Sequence, residues 1–471
     1  MLKTKTQILK YIIGDYLTAL ATWLIVNYIS TESHIINIFQ IEYSSFYNKF
    51  FFGIIFLPVF WVVLYYLTGQ YHSPYYRSRL QELGYTIMTS IVGNTLIFFF
   101  FILNNYVETY KEYYFSIMLL TSVHFILSYI PRLFITTRMI HSLRSGKIYF
   151  NTIFIGGGQK AVRFYNELKN KKASSGHRIL GFVSIVENSV CEAEQILSKL
   201  GNIKDLKSII KEKNIHEVII SSEQTAPEYI EELIAQIEYL DIKIRLIPDL
   251  KSILIGKKIV TGLYGSPLLE ITHDLLPVWQ QNVKRIMDIS LSILAMLIGI
   301  PLYIFLTIGV KLSSKGPILY SQERIGRYGK RFKIFKFRSM CVGAEKDGPE
   351  LSSNNDPRIT QFGKFMRKSR LDEIPQFYNV IKGDMSLVGP RPERQFYIDQ
   401  ITKQVPHFNH LLMIRPGITS WGQVKFGYAE NVEQMIERLK YDLIYIENMS
   451  IYFDIKILIY TLKIIFERSG K

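Results

Sequence analysis

Four apolar stretches, residues 8–29, 50–68, 84–103 and 113–131, fill the first third of this chain. Each is close to the ~20 residues that a helix needs to cross a bilayer. The first continues into further spans and lacks a small-residue cleavage site, so it reads as a span and not as a signal peptide. Tyr and Trp cluster near the ends, as interfacial aromatics do. Buried helices of a soluble protein are the alternative.

Loop charge gives an orientation. Lys3, Lys5 and Lys10 precede the first stretch, His72, Arg77 and Arg79 separate the second and third, and Arg132, Arg138, Arg144 and Lys147 follow the fourth. The other two loops carry Glu32, Glu42, Glu108 and Glu112 against Lys49 and Lys111. By the positive-inside rule both ends of a four-helix transmembrane bundle, residues 1–140, are cytoplasmic. Asp15 and His124 fall inside spans, where an interhelical hydrogen bond is the expected role and a transport path the alternative.

Composition adds two bounds. The net charge of +16 calls for a polyanionic neighbour: nucleic acid, anionic lipid or a phosphorylated substrate. Only Cys191 and Cys341 occur, which excludes a disulfide framework and a cysteine metal site and suggests a reducing compartment.

The segment "NTIFIGGGQKAVRFYNELKN" reads as a strand turning through glycines into a helix, and Gly156, Gly158 and Ala161 fit G-x-G-x-x-A. With "RILGFVSIV", "IHEVIISSE" and "IKIRLIPD" as buried parallel strands, residues 148–262 are expected to form a Rossmann-like α/β domain. Whether NAD or a nucleotide binds there stays open. Glu187 is placed loosely for a ribose-binding acid. Tyr-x-x-x-Lys occurs as Tyr165/Lys169, too near the glycines, and as Tyr239/Lys243, where Lys243 already begins a strand.

A further apolar run, residues 289–310, has Lys284 and Arg285 before it and Lys311 and Lys315 after it, with Pro301 inside. Cations on both flanks disfavour translocation of either end, and Pro301 removes a backbone donor. A re-entrant hairpin over 284–311 is therefore expected, with a fifth full span as the alternative. Residues 311–338 hold nine Lys or Arg and one acid, Glu323. Alternation in "RFKIFKFRSM" suggests a strand presenting cations on one side, as a phosphate-gripping wall requires. In "RKSRLDEIPQFYNV", Asp372 and Glu373 stand just ahead of a helix opened by Pro375, where the helix N-terminus favours anions. Taken alone, such a pair is also an ordinary helix cap balanced by arginines. His407 and His410 of "HFNH" lack a third ligand at metal-binding spacing.

From "KRIMD" through "GPILYSQERIG", "FKFRSM", "NDPRIT", "LDEIPQFYNVIKGDMSLVGPRP" and "RPGITSWGQV" to "YDLIYIENMSIYFDIKI", residues 280–471 resemble the bacterial sugar transferases, the polyprenyl-phosphate phosphoglycosyltransferases. Four front spans and a Rossmann-like insert resemble the larger members, which begin exopolysaccharide, capsule or O-antigen repeat units. The resemblance implies a mixed α/β monotopic catalytic domain on the cytoplasmic face of a bacterial inner membrane. It implies transfer of a sugar-1-phosphate from a UDP-sugar to undecaprenyl phosphate, with UMP released and Mg²⁺ as cofactor. Carried onto this chain, Asp372 is the nucleophile and Glu373 a magnesium ligand, and Arg367 and Arg391 hold phosphate or nucleotide. Lys336, Arg338, Asp356 and Arg358 lie in matching motifs. Membrane lipid is then the polyanionic surface, nucleic acid is not a partner, and a homodimer is compatible with this form. Two departures stand out. The family's Ser-Pro at the membrane break is Ile300-Pro301 here, and "PGITG" is "PGITS" with Ser420.

The chemistry follows from the residue types. An anionic nucleophile approaching a diphosphate is repelled unless metal and guanidinium groups neutralise the phosphates. Two adjacent carboxylates can divide attack and metal anchoring, since Mg²⁺ commonly takes one or two protein carboxylates. The competing readings are a membrane-tethered NAD-dependent nucleotide-sugar dehydratase or epimerase, and a non-catalytic membrane assembly or regulatory protein.

Overall fold

The computed structural model describes residues 4–32, 43–72, 74–99, 110–170, 174, 176–185, 192–221, 233–234, 237–240, 242–247, 259–261, 267–270, 275–344, 356–427, 429 and 431–466. Glu187 and Cys191 lie outside them. The chain divides into two compact units, Met1–Ser221 with Arg245–Glu270, and Ser222–Ile244 with Ile271–Lys471.

The first unit begins with helices α1 (Thr4–Glu32), α2 (Tyr43–Leu67), α3 (Arg79–Ile97) and α4 (Tyr110–Arg144), one over each apolar stretch. Thr4–Ile29 and Ile117–Arg144 are long and apolar enough to cross a membrane, and Gly53–Leu67 is a shorter apolar helix. On α4 the residues at four-residue spacing sort by face. His124, Ser128, Arg132 and Thr136 are buried, while Ile126, Ile130 and Phe134 are exposed. A water-soluble helix has the opposite arrangement.

Arg132, 1% exposed, organises the buried side. Its guanidinium donates to both Asp15 oxygens at 2.7 Å, to Glu82 Oε1 at 2.9 Å and to Gln70. Tyr71 donates to Asp15 Oδ2 at 2.8 Å, and the guanidinium lies 4.1 Å from the Tyr65 ring centroid. His124 sits against Tyr65 and Thr22, at 3.1 and 3.4 Å, and stacks on Trp61. Asp15 and His124 thus join helices, as expected of them.

Strands β1 (Phe150–Ile155), β2 (His177–Ser184), β3 (Lys199–Asn202), β4 (Glu217–Ile220), β5 (Lys243–Leu246), β6 (Ile259–Thr261) and β7 (Pro267–Glu270) form one sheet in the order β3-β2-β1-β4-β5-β7-β6. β3-β2-β1-β4 pair in parallel. Ile153, Phe154 and Ile155 are fully buried, as suits a parallel strand covered on both faces. The strand read from "IKIRLIPD" is β5, and it pairs antiparallel with β7, so the parallel character expected along the whole sheet ends there.

At the start of β4, Glu217 is fully buried. It accepts from Tyr76 at 2.7 Å and pairs with His177 at 2.9 Å and Arg245 at 3.4 Å. Burial pushes its carboxyl up, but His177, Arg245 and Tyr76 outweigh burial and bring it down to about 2. A depressed carboxylate stabilises the fold fully above its ordinary value of 4.5 and loses that contribution as pH falls toward 2. Thermal unfolding against pH should show Glu217→Gln less stable than wild type at pH 7, with a shallower loss of stability in that acid window. Parallel curves for the two proteins would contradict the pairing.

The second unit opens with α7 (Val278–Ile298) and α8 (Ile300–Ser313), bent by 65° at Gly299. The break falls one residue before Ile300-Pro301, and Pro301 occupies the first turn of α8, where its missing N–H costs nothing. Leu297, Ile298, Phe305 and Leu312 are exposed along this pair. An antiparallel hairpin follows, β8 (Leu319–Ile325) with β9 (Arg331–Phe337). Then come α9 (Gln361–Lys368), a 3-10 turn (Leu371–Glu373) and α10 (Gln376–Lys382). β10 (Ser386–Val388) pairs in parallel with β11 (Gly417–Thr419). Helices α11 (Gln395–Gln404), α12 (Trp421–Lys425), α13 (Val432–Glu447) and α14 (Ile451–Phe466) complete the unit. Its core gathers Val380, Met385, Ile401, Leu439, Tyr445 and Ile457.

Candidate active site

Three residues of "KRIMD", on α7, tie that helix to the rest of the unit. Asp288 accepts from Ser386 Oγ at 2.7 Å and the Leu387 amide at 3.1 Å, fixing β10. Arg285 donates to the carbonyls of Val380 and Ile381 in the last turn of α10, where the Val380 carbonyl also accepts from the Gly383 amide. Lys284 bridges the Val388 carbonyl and Asp454 at 3.0 and 2.6 Å. The helix entering the bent pair thereby anchors the segment that follows the acidic pair.

Asp372 and Glu373 occupy the 3-10 turn and are each 6% exposed. Arg370 precedes them in the left-handed region (φ 53°), a conformation unusual for a side chain with a Cβ, and this reverses the chain after α9. Tyr303 of α8 donates to the Ile374 carbonyl at 3.0 Å, tying the turn to the bent helix pair. Lys336 and Arg391 both donate to Glu373 Oε1, at 2.7 and 3.2 Å.

Electrostatics separate the two carboxylates. Burial raises the Asp372 carboxyl to about 6, against the pull of Lys336, Arg367 and Arg391 and with the push of Glu373. Burial acts to raise Glu373 as well, but Lys336, Arg391 and Arg370 hold it well below the usual carboxylate range. The helix start was expected to keep both acids ionised. Instead the turn sits ahead of α10 and is buried, so only Glu373 is strongly held as an anion. Asp372 is left with a poorly solvated charge, the condition that favours attack on an electrophile.

The basic wall is narrower than its alternation suggested. Arg331 and Lys333 face solvent. Only Lys336 and Arg338, on the alternate parity, turn inward. Asn379 on α10, 0% exposed, fixes that register: its amide donates to the Lys333 carbonyl at 2.8 Å and accepts from the Phe335 amide at 3.1 Å. Arg338 gives one bond, to the Ser314 carbonyl at 2.6 Å, while its buried Nε and Nη1 have no hydrogen-bond partner among the described residues. Arg367 donates to Ser339 Oγ at 3.1 Å. A Cβ at Gly363 would collide with the Ser339 carbonyl, so glycine there lets α9 bring Arg367 close.

Asp356 and Arg358 engage each other, at 2.8 and 2.6 Å, and Arg358 also caps the Ala344 carbonyl. The Arg367 guanidinium also acts on the Asp356 carboxylate. His410 pairs with Glu238 at 2.9 Å. In the sheet unit, Gly156 adopts φ +93° and its carbonyl accepts from Ser221 Oγ at 2.6 Å. The Gly157 carbonyl accepts from the Ala193 amide, the Gly158 carbonyl begins α5 (Gln159–Asn170), and Ala161 is fully buried in the core. Tyr165 and Lys169 lie on α5 and Lys243 opens β5.

Residues 279–468 match the family described as "Bacterial sugar transferase", and residues 66–248 one described as "CoA-binding domain". A protein of Xanthomonas campestris pv. campestris named "UDP-glucose:undecaprenyl-phosphate glucose-1-phosphate transferase" is 30% identical over 330 residues, 68% of each chain. This chain belongs to the bacterial sugar transferase family. Among other family members, a "UDP-N-acetylgalactosamine-undecaprenyl-phosphate N-acetylgalactosaminephosphotransferase" of Aeromonas hydrophila is 40% identical over 40% of this chain and 44% of its own. A "UDP-glucose:undecaprenyl-phosphate glucose-1-phosphate transferase" of Escherichia coli (strain K12) is 35% identical over 55% of this chain and 57% of its own. The match to those two relatives thus spans about half of their length.

The contacts by which several positions hold this transferase's acidic turn in place carried no signal in the sequence, although Arg285 was marked as a cation flanking the apolar run. Asn379, Asp288, Arg285, Ser339 and Tyr303 act through main-chain contacts or a single hydroxyl. Nothing in residue type or spacing marks such partners.

Proposed function

We propose that this protein transfers a sugar-1-phosphate from a UDP-sugar to undecaprenyl phosphate and releases UMP. The observation that carries the reading is the buried turn in which Asp372 stands beside Glu373, itself gripped by Lys336 and Arg391. The names of the relatives agree with it.

In the first step a carboxylate oxygen of Asp372 attacks the sugar-bearing β-phosphorus. The bond from that phosphorus to the bridging oxygen breaks, UMP leaves with the electron pair, and an aspartyl-phosphosugar remains. An oxygen of undecaprenyl phosphate then attacks the same phosphorus and frees Asp372. One phosphoanhydride replaces another, so catalysis here is positioning and charge stabilisation. Arg367, Arg391 and the Arg338 donors that have no partner among the described residues supply guanidinium contacts for phosphate.

Magnesium fits this donor set. Among the described residues no three His, Cys, Asp or Glu converge. Both side-chain bonds to the Glu373 carboxylate fall on Oε1, so Oε2 offers a hard oxygen ligand of the kind Mg²⁺ takes together with substrate phosphate. When bound, it would neutralise charge on the diphosphate.

The same reading puts the chain in a bacterial cytoplasmic membrane as a multi-pass protein with its catalytic residues on the cytoplasmic side. It has three parts: a four-span bundle, a Rossmann-like domain and the transferase domain. The apolar outer face and polar inner face of α4 support the bundle, and the order β3-β2-β1-β4 supports the second part. The bend at Gly299 and the exposed apolar side chains of α7 and α8 support a hairpin that enters and leaves one leaflet.

The test is UMP release in nanodiscs with undecaprenyl phosphate and a panel of UDP-sugars; no UMP from any donor would refute the proposal. Asn379→Ala should lower stability by about 1–3 kcal/mol, the cost of leaving two strand groups unpaired. It should also slow UMP release, because the Lys336 register loosens. Wild-type values for both would show that Asn379 does not set that register.

A further inference from the structure

The outer face of α4 changes character along its length. Ile126, Ile130 and Phe134 are 53%, 59% and 65% exposed. At the same helical spacing they give way to Arg138, His141 and Arg144. At that transition the helix and Arg79, from the first turn of α3, line a cavity of about 320 Å³. The helix start that carries Arg79 is set by a reciprocal cap in which Ser78 and Gln81 exchange hydrogen bonds of 3.0 and 3.1 Å. Thr137 adds a hydroxyl to the wall, and among the described residues no acid lines it.

Three guanidiniums around one cavity match a phosphate, which they can contact in two-pronged fashion. The volume reaches the lower end of ordinary ligand sites. The apolar stripe leading away from the cations distinguishes the ligand. A free phosphate would use only the arginines, whereas a phosphate carrying acyl chains would use both halves of the face. We propose that this cavity binds the headgroup phosphate of an anionic glycerophospholipid, with its chains along Phe134, Ile130 and Ile126. The inference rests on the membrane reading of α4 and is independent of the transfer reaction. Cations flanking a span would set orientation without any cavity. They would not create a saturable site, and saturation is what the experiment reads.

The full chain in a nonionic detergent is titrated with phosphatidylglycerol, phosphatidylcholine and inorganic phosphate, and binding is followed by native mass spectrometry. Phosphatidylglycerol should fill one saturable site, and R79Q/R138Q/R144Q should weaken it at least tenfold. K207Q/K211Q, which removes exposed charge from α6 (Leu206–Glu212), should leave it unchanged. Equal affinity in the triple variant, or equal binding of phosphatidylcholine, would overturn the proposal. Saturable binding of inorganic phosphate at the same arginines would overturn the lipid assignment. Should the triple variant not fold, Arg138→Gln alone must still weaken binding about threefold, and an unchanged affinity then counts against the site. Failure of the membrane reading itself would show separately, as a chain that stays dispersed without detergent.

Discussion

Asp372→Asn will release UMP at least about 10³-fold more slowly than wild type at saturating UDP-sugar, because an amide cannot form the acyl phosphate on which both half-reactions of the proposed mechanism depend. The same variant will yield no radiolabelled protein from a donor labelled in the sugar, whereas wild type without acceptor lipid will. Its stability should move the other way. Burial raises the Asp372 carboxyl, so the ionised side chain opposes folding, and a neutral isostere relieves that. Without added magnesium the thermal midpoint of Asp372→Asn should equal or exceed that of wild type. Glu373→Gln should differ. It strips the anion from Lys336 and Arg391, so both activity and midpoint should fall. Near-normal UMP release by Asp372→Asn would mean that another group attacks. A large drop in its midpoint would mean that the turn needs this charge for structure.

The second large effect lies in the helical bundle. Arg132→Met leaves Asp15 and Glu82, 1% and 0% exposed, facing each other without the guanidinium that binds both. Removing one partner from a buried ionic cluster costs about 3–5 kcal/mol, which is enough to prevent recovery of folded protein. Neutralising the cluster should restore it. In Asp15→Asn/Glu82→Gln/Arg132→Met the acids and Arg132 are neutralised together, and Arg77, although it loses its 3.4 Å ion pair with Glu82, keeps its bonds to the carbonyls of Gly69 and His72. Yield and midpoint in detergent should therefore rank wild type, triple variant, then single variant. Equal midpoints for the single variant and wild type would show that the cluster is solvated. This effect is separable from catalysis, since UMP release per folded molecule should persist in the triple variant.

The sequence by itself determined the segments and the residue types of the candidate site. Runs of ~20 apolar residues dictate helices at α1 to α4, and the glycine turn after "NTIFI" dictates a strand followed by a helix. The dyad, its arginines and Lys336 were legible through their resemblance to the bacterial sugar transferases, since the residue types alone also fit a helix cap. What only the tertiary structure decided is how those groups differ from one another. Adjacent acids look equivalent in a sequence, yet Glu373 is clamped by Lys336 and Arg391 while Asp372 is buried without a hydrogen-bonded cation among the described residues. Alternating cations look like one wall, yet the register fixed by Asn379 sends Arg331 and Lys333 to water and Lys336 to the turn. Asp15, Glu82 and Arg132 are far apart along the chain and become one cluster only when α1, α3 and α4 pack. Local pattern fixes which face of an element is apolar. Solvation and charge partners belong to the packed arrangement, because desolvation depends on everything that closes around a group and not on its neighbours in the chain.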